Sequence, residues 1–198
     1  MNRFAAVTVV VLVVALQGCG LALLGGGAAA ITAIEDRRTS GALIDDEGIE
    51  IRVRRGVREN FGENTHVNVT SFNRSVLLTG EVPNEAARAE VEKIVLANAN
   101  VRNVTNELQI AGVSSLATRA NDSLITSKVK ARLLDSNKVN PIHIKVVTES
   151  GVVYLLGLVT ESEANDAVEV ARTTGGVIKV VKIFEYCKAG DVVCKPGA

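Results

Sequence analysis

The strongest constraint on the fold is an internal repeat, in which the chain matches itself at an offset of 76 to 77 residues. The most similar blocks are two apolar segments with a glycine inside them, Val76–Val82 (VLLTGEV) and Val153–Val159 (VYLLGLV). The flanking blocks that also match are residues 46–54 with 122–130 and residues 101–104 with 177–180. Three matched blocks in one order indicate a duplication, so we expect two small domains of the same fold.

Within the first copy, the hydrophobic period changes from that of a helix to that of a strand. Ile49, Val53 and Val57 recur every four residues with charged residues between them, which predicts a one-faced amphipathic helix. The apolar positions then alternate, which is typical of half-buried strands. The elements predicted next are a strand at 66–70, a turn at Asn73-Arg74, a strand at 76–82, a helix after Pro83-Asn84 and a strand at 104–110.

The second copy repeats this order. Its predicted elements are a helix with Asp122 as N-cap, strands at 144–148 and 152–159 around a turn at 149–151, a helix at 164–171 and a strand at 177–186. We therefore expect an α+β protein of two tandem αββαβ domains, each a three-stranded mixed sheet with two helices on it. The predicted boundaries are 45–112 for the first domain, 113–119 for the linker, 120–187 for the second domain and 188–198 for a C-terminal tail. The short link predicts close neighbours.

Gly80 and Gly157 occupy equivalent positions inside the second strand of each copy. Glycine weakens a strand and is found where a neighbour approaches too closely for a side chain. We expect that a helix crosses the sheet at each glycine and that both residues serve packing.

The start of the chain has the pattern of a secretion signal. Arg3 is its only charge, an apolar run covers residues 4–16, and small residues precede a cysteine. The sequence Leu16-Gln17-Gly18-Cys19 resembles the bacterial lipobox. This resemblance implies that a signal peptide, residues 1–18, is removed and that Cys19 is acylated.

The residue after Cys19 bears on the destination of such a lipoprotein. It is Gly20 rather than the Asp that usually prevents sorting to the outer membrane, so we expect a lipid anchor in the outer membrane, facing the periplasm. Residues 19–44 are then a lipidated N-terminus and linker. The alternative is a transmembrane anchor, because no charge occurs between residues 4 and 34.

Composition limits the class of partner. Lys plus Arg and Asp plus Glu both number 22, so the net charge is zero and no overall field favours nucleic acid. Two Tyr, four Phe and no Trp leave few rings for stacking on bases. We expect no nucleic-acid partner, and any electrostatic partner must bind a local patch.

Two cysteines remain once Cys19 is acylated, and both lie near the C-terminus. In an oxidising compartment, the spacing of Cys187 and Cys194 favours a local disulfide. A metal site would need two further ligands, and His66 and His143 lie at the starts of predicted strands, far from this tail. We predict a disulfide, no metal site and no cofactor.

The repeated blocks resemble the BON domain, a small α/β module of bacterial envelope proteins with a Val-x-Leu-x-Gly-x-Val strand. That strand is Val76–Val82 in one copy and Val153–Val159 in the other, and the most specific stretch is residues 121–130 (NDSLITSKVK). The resemblance implies that the second domain binds anionic phospholipid, such as phosphatidylglycerol or cardiolipin, through its first helix. It also implies a role in outer-membrane integrity and in remodelling of the envelope at the division site, with envelope-assembly or division proteins as possible partners.

The first helix of the second copy supplies the candidate lipid site. Ile125, Val129 and Leu133 define its buried face, and an apolar residue next to cations lies outside that face. The predicted lipid-binding residues are Leu124, Ser127, Lys128, Ala131 and Arg132. Relatives often carry an aromatic residue where this chain has Leu124, which implies a weaker interfacial anchor. The competing site is the basic first helix of the other copy, with Arg52, Arg54, Arg55 and Arg58.

An enzymatic function is not expected, because the chain contains no nucleophile elbow, P-loop, zincin helix or paired catalytic carboxylates. His66 and His143 are repeat equivalents, and we assign both a structural role. We predict a non-enzymatic membrane-binding protein. The alternative is a protein–protein adaptor for envelope assembly or for cell-wall-splitting machinery that does not recognise lipid.

Overall fold

The computed structural model describes residues 36–62, 65–188, 190–191 and 194. The predicted signal peptide, Cys19 and most of the predicted linker lie outside these residues.

The first domain contains two helices and a mixed sheet. Its elements are α1 (Ser40–Phe61), β1 (His66–Phe72), β2 (Ser75–Val82), α2 (Glu85–Leu96), β3 (Asn103–Asn106) and β4 (Gln109–Ile110). Strand β1 pairs antiparallel with β2, and β3 and β4 both pair parallel with β2. The closing strand predicted at 104–110 is therefore interrupted. Leu108, which lies between its two parts, is buried in the core of the domain.

The second domain has the same order of elements. They are α3 (Leu116–Ser136), a 3-10 turn (Pro141–His143), β5 (Ile144–Glu149), β6 (Val152–Val159), α4 (Glu161–Arg172) and β7 (Lys179–Tyr186). Strand β6 is central, antiparallel to β5 and parallel to β7. The prediction of two tandem αββαβ domains is confirmed.

The first helix of each domain packs as its periodicity predicts. Ile49, Val53 and Val57 of α1 are buried against the first sheet. The equivalent residues of α3 (Ile125, Val129 and Leu133) are buried against the second sheet. Burying one such side chain contributes about 1.5–3 kcal/mol to stability, so each helix is held mainly by this apolar stripe.

Hydroxyl residues cap both of these helices, and α3 begins earlier than predicted. Helix α1 starts after Thr39 and α3 after Ser115, each side chain accepting a backbone N–H of the first turn. The prediction that Asp122 is the N-cap is therefore wrong. Asp122 lies inside α3, where its buried carboxylate accepts the N–H groups of Ser150 and Gly151, both at 2.9 Å.

Asp46 has the equivalent role in the first domain. Its buried carboxylate accepts the N–H groups of Asn73 (2.8 Å) and Arg74 (2.7 Å) and the hydroxyl of Ser71 (2.7 Å). Asn73 and Arg74 both have positive φ, as a two-residue hairpin turn of type I′ requires. An aspartate in the first helix thus fixes the hairpin turn of each domain.

The two strand glycines accommodate a backbone carbonyl, and the prediction of a crossing helix is wrong. A Cβ on Gly80, whose φ is +110°, would lie 1.9 Å from the carbonyl oxygen of His66 on β1. A Cβ on Gly157 would lie 2.6 Å from the carbonyl oxygen of His143. Each carbonyl belongs to the chain at the start of the preceding strand, so the close neighbour lies within the hairpin.

The two sheets face each other. Residues at alternate positions of the strands turn away from the helices and form a shared apolar cluster across the two domains. Its buried members are Phe72, Leu77, Tyr154 and Leu156. The layers are therefore helices, first sheet, second sheet, helices, and the described parts of both domains group as one unit.

Candidate functional site

The outward side of α3 carries most of the predicted lipid-binding residues. Leu124 is 60 % exposed although it is apolar, and Ser127, Lys128 and Ala131 are exposed along the same side. The opposite side of the helix is buried through Ile125 and its equivalents one and two turns later. Because the second sheet lies between α3 and the first domain, this apolar and cationic surface points to solvent.

Arg132 differs from the other predicted residues. Its guanidinium donates to the carbonyl of Val170 (3.0 Å) and to the hydroxyls of Thr173 (3.1 Å) and Thr174 (2.8 Å). These acceptors lie at the C-terminal end of α4, where backbone carbonyls lack helical partners. Arg132 therefore ties α3 to α4.

A cavity that the sequence did not predict lies beside the C-terminal half of α3, with a volume of about 500 Å³. Its lining combines three cations with apolar side chains. The lining includes Lys130, Ala131, Leu134, Ile142, Arg38 and Lys145. Leu134 and Ile142 are exposed apolar residues. The three cations come from segments far apart in the chain. The sequence therefore contains one signal of this cavity, the basic residues Lys130 and Arg132 on either side of Ala131.

The competing basic helix, α1, is less available for a ligand. The guanidinium of Arg54 pairs with Glu50 one turn earlier (2.7 Å), and that of Arg52 donates to Asn98 (3.2 Å). Arg55 and Arg58 are exposed. Helix α1 lies on the outer side of the first sheet and α3 on the outer side of the second, so one flat surface cannot contact both.

The segment before α1 connects the two domains. Arg37 donates to the carbonyl of Leu158 (3.0 Å) and forms a two-pronged ion pair with Glu163 at the start of α4 (2.8 and 2.9 Å). Arg38 pairs with Asp46 (3.0 Å) and lies over the ring of Phe72, 4.3 Å from its centroid. The chain that carries the predicted anchor thus enters the molecule against both domains.

These ion pairs change the acidity of their carboxyl groups. Burial alone would raise the pKa of Glu163, but hydrogen bonds from Arg37 and Thr160 lower it below its ordinary value. Burial alone would also raise the pKa of Asp36, but the hydrogen bonds and the charge of Arg38 lower it. Both carboxylates are therefore stabilised in their charged form.

The C-terminal thiols are adjacent in space. Cys187 follows β7, and its sulfur is paired with that of Cys194, with the two Cα atoms 5.9 Å apart. Cys194 is buried. The predicted disulfide is thus compatible with the fold, and thiol titration is its test.

Comparison with known proteins gives the family. The BON domain model matches residues 44–112 and 121–188, one match for each αββαβ domain. The chain belongs to the BON domain family. No catalytic family is indicated, and the prediction of a non-enzymatic protein agrees with this.

Three relatives show how far the likeness extends. Outer membrane lipoprotein DolP of Haemophilus influenzae is 39 % identical over 86 % of this chain and 90 % of its own length. The 21 kDa hemolysin of Actinobacillus pleuropneumoniae is 33 % identical over 76 % of this chain and 79 % of its own. Osmotically-inducible protein Y of Escherichia coli is 31 % identical over 71 % of this chain and 72 % of its own. The similarity to all three therefore includes both BON domains.

Within residues 36–62, 65–188, 190–191 and 194, no helix is both long and apolar enough to span a membrane.

Proposed function

We propose that this chain is an outer-membrane lipoprotein, anchored at the periplasmic face by acylation of Cys19, whose second BON domain binds anionic phospholipid through α3. The observation that carries the proposal is the exposure of Leu124 next to Lys128 on the outward side of a basic helix. The lipobox sequence and the similarity to outer membrane lipoprotein DolP support the anchor.

The chemistry of this surface suits an anionic membrane. Each cation near such a surface contributes about 1 kcal/mol, and Lys128 and Lys130 are both exposed. Leu124 can enter the interfacial region, where full burial of a leucine side chain contributes about 1.5–3 kcal/mol. These terms are small, but a protein tethered to the membrane binds a second site on it at a high effective concentration.

The cavity beside α3 extends the proposed surface. Of the three cations in its lining, Arg38 is paired with Asp36 and Asp46 and Lys145 with Glu50, so Lys130 is the cation that would meet a phosphate group there. The apolar side chains beside Lys130 would contact the hydrocarbon joined to that phosphate. In this proposal Lys130 and Leu134 join Leu124, Ser127, Lys128 and Ala131. Arg132 keeps the helix in position through α4 and contacts the headgroup only at its edge.

The position of the tether favours the second domain. Arg37 is bonded to Leu158 and Glu163 of that domain, and it lines one small cavity together with Leu134 of α3. Cys19 precedes Asp36 by 17 residues (36 − 19), which reach at most about 60 Å when extended. A membrane-anchored chain that enters beside the C-terminal end of α3 brings this helix close to the lipid surface.

Vesicle co-sedimentation tests the proposal. Purified chain that lacks the acylated residue (residues 20–198) should sediment with vesicles that contain phosphatidylglycerol and remain in solution with vesicles of phosphatidylcholine alone. Lys128→Glu should greatly weaken binding to the anionic vesicles, because it replaces an attraction with a repulsion. Leu124→Trp should strengthen it, since an indole ring prefers the interface.

The matched control is Arg55→Glu, which reverses an exposed cation on the outer helix of the first domain. Its binding should equal that of wild type, and circular dichroism should show that each variant is folded. Equal sedimentation of wild type and Lys128→Glu, or a loss confined to Arg55→Glu, would contradict the choice of α3.

The proposal includes the process that the family resemblance implies, support of outer-membrane integrity and of envelope remodelling at the division site. Cells that lack the protein should become sensitive to detergents and large antibiotics, and Lys128→Glu should fail to restore resistance. Full restoration by Lys128→Glu, with vesicle binding lost, would favour the protein–protein adaptor instead.

A further inference from the structure

The interface between the two sheets has two unlike ends. At the offset of the repeat, His66 is equivalent to His143, Phe72 to Glu149, and Glu81 to Leu158 (77 residues in each case). At one end, Phe72 and Leu158 belong to the shared apolar cluster. At the other end, the equivalent positions are occupied by Glu149 and Glu81, and both carboxylates lie next to His66.

These three side chains are close enough to share one ion. The Nδ1 atom of His66 lies 3.0 Å from a carboxylate oxygen of Glu81 and 3.9 Å from one of Glu149. One ligand atom from each residue lies within 4.8 Å of the others. Metal–ligand bonds of about 2.0–2.2 Å place the ligand atoms of a tetrahedral site about 3.3–3.6 Å apart, so small side-chain movements suffice.

The two carboxylates are buried, and the basic residue beside both of them is His66. Glu81 is 4 % exposed and Glu149 is 3 % exposed. Across the described part of the chain, no Lys or Arg nitrogen lies within ion-pairing distance of either group. Their polar partners besides His66 are the N–H of Ser114 for Glu81 (3.1 Å) and the amide of Asn68 for Glu149 (2.8 Å). Buried charges are normally paired or bound to a metal.

The surroundings leave room for a further ligand. A cavity of about 500 Å³ opens beside the cluster and is lined by His66, Asn68 and Glu149. Arg119 also lines this cavity, but its guanidinium donates to the carbonyl of Ser114 (3.0 Å). A water molecule can therefore reach a metal bound at the cluster.

We propose that His66, Glu81 and Glu149 bind a divalent transition metal ion of the zinc class, held between the two BON domains. One imidazole nitrogen and two carboxylate oxygens form a donor set that zinc and its neighbours accept, with a fourth position for water. His66 and Glu81 come from β1 and β2, and Glu149 comes from β5. The ion therefore links the domains directly. In this proposal His66 is a ligand, in addition to its place at the start of β1.

Calorimetric titration of the full chain in detergent micelles with Zn²⁺ tests this site. Wild type should bind one Zn²⁺ per chain, and its melting temperature should rise because the ion binds only the folded state. His66→Gln, Glu81→Gln and Glu149→Gln should each weaken binding by at least about tenfold. The control Glu85→Gln, at an exposed carboxylate of α2, should bind as wild type does.

A second measurement keeps the proposal testable if a variant misfolds. Diethyl pyrocarbonate should modify His66 of wild type, and Zn²⁺ should protect it, with the modified residue located by mass spectrometry. Co²⁺ bound to wild type should give visible absorption bands that His66→Gln abolishes. No Zn²⁺ binding by wild type, less than tenfold weakening in any ligand variant, or absence of protection at His66 would overturn the proposal.

Discussion

The two BON domains have equivalent cores, whereas the surfaces on which they differ are the shared interface and the outer helices. Ile49 and Ile125 occupy the same position against their sheets, as do Asp46 and Asp122 against their hairpin turns. By contrast, Phe72 of the first domain is equivalent to the buried Glu149 of the second. The repeat thus retains the residues that fold each copy and diverges where one copy meets the other.

The outer helices of the two domains are also alike on their buried faces and different on their exposed faces. In α1 two of the arginines are bonded to neighbours on the first domain, whereas α3 exposes Leu124 and Lys128. Their buried faces remain alike because each must fill a similar core. Positions at which the two domains carry different residues therefore indicate function better than the residues of one domain considered alone.

The largest expected difference between the domains is at the strand glycines. Gly80→Ala should destabilise the protein by about 4 kcal/mol, since the new Cβ meets a carbonyl oxygen and φ is positive. Gly157→Ala should cost about 2 kcal/mol, because its carbonyl neighbour is farther away and the backbone is ordinary there. Urea unfolding measures both, and an equal or larger loss for Gly157→Ala would contradict the comparison.

The buried aspartates should differ less. Asp46→Ala should cost about 3 kcal/mol, because two turn N–H groups, a hydroxyl and the guanidinium of Arg38 lose their acceptor. Asp122→Ala should cost about 2 kcal/mol, since two N–H groups of the turn depend on it. Thermal unfolding of the two variants side by side checks the order. The reverse order would contradict the comparison.

The C-terminal pair adds a smaller asymmetry, confined to the second domain. Oxidised wild type should have no reactive thiol at Cys187 or Cys194 until reductant is added. Cys194→Ser should lower stability by about 1–2 kcal/mol, because the closed loop is short. Titration with a thiol reagent and urea unfolding provide the measurements, and two thiols reactive without reductant would refute the disulfide.

The smallest expected effect is a pH dependence at the junction of the segment before α1 with α4. The pKa of Glu163 is lowered in the folded state, so its ion pair contributes stability above the unfolded value of about 4.5. That contribution is lost as the pH falls through the lower, folded pKa. Arg37→Met should make stability less dependent on pH in this acid range, whereas Lys138→Met, at an exposed ion pair, should not. Parallel curves for wild type and Arg37→Met would contradict the assignment.

The sequence predicted the elements of each domain because they depend on local periodicity. Ile125, Val129 and Leu133 had to share a face, and that face is buried. The start of α3 was predicted too late, since Asp122 resembles a cap in the sequence but bonds a turn that is distant in the chain. An aspartate can cap a helix or accept hydrogen bonds from a buried turn, and only the fold shows which of the two it does.

The candidate sites also include residues that the sequence predicted and residues that it did not. The exposure of Leu124 followed from helical geometry, whereas the bonds of Arg132 to α4 depend on how two helices pack. The cluster of His66, Glu81 and Glu149 could not be predicted, because it exists only where two sheets meet. The repeat contains one sign of this cluster, because the aromatic Phe72 of the first copy is equivalent to the acidic Glu149 of the second.

The bonds of Arg37 and Arg38 have a mechanical consequence. A pull on the chain before Asp36 is shared between Arg37, held by the second domain, and Arg38, held by the first. Neither domain receives such a load alone. The two arginines therefore form a second mechanical connection between the domains, in parallel with the covalent one after Ile110.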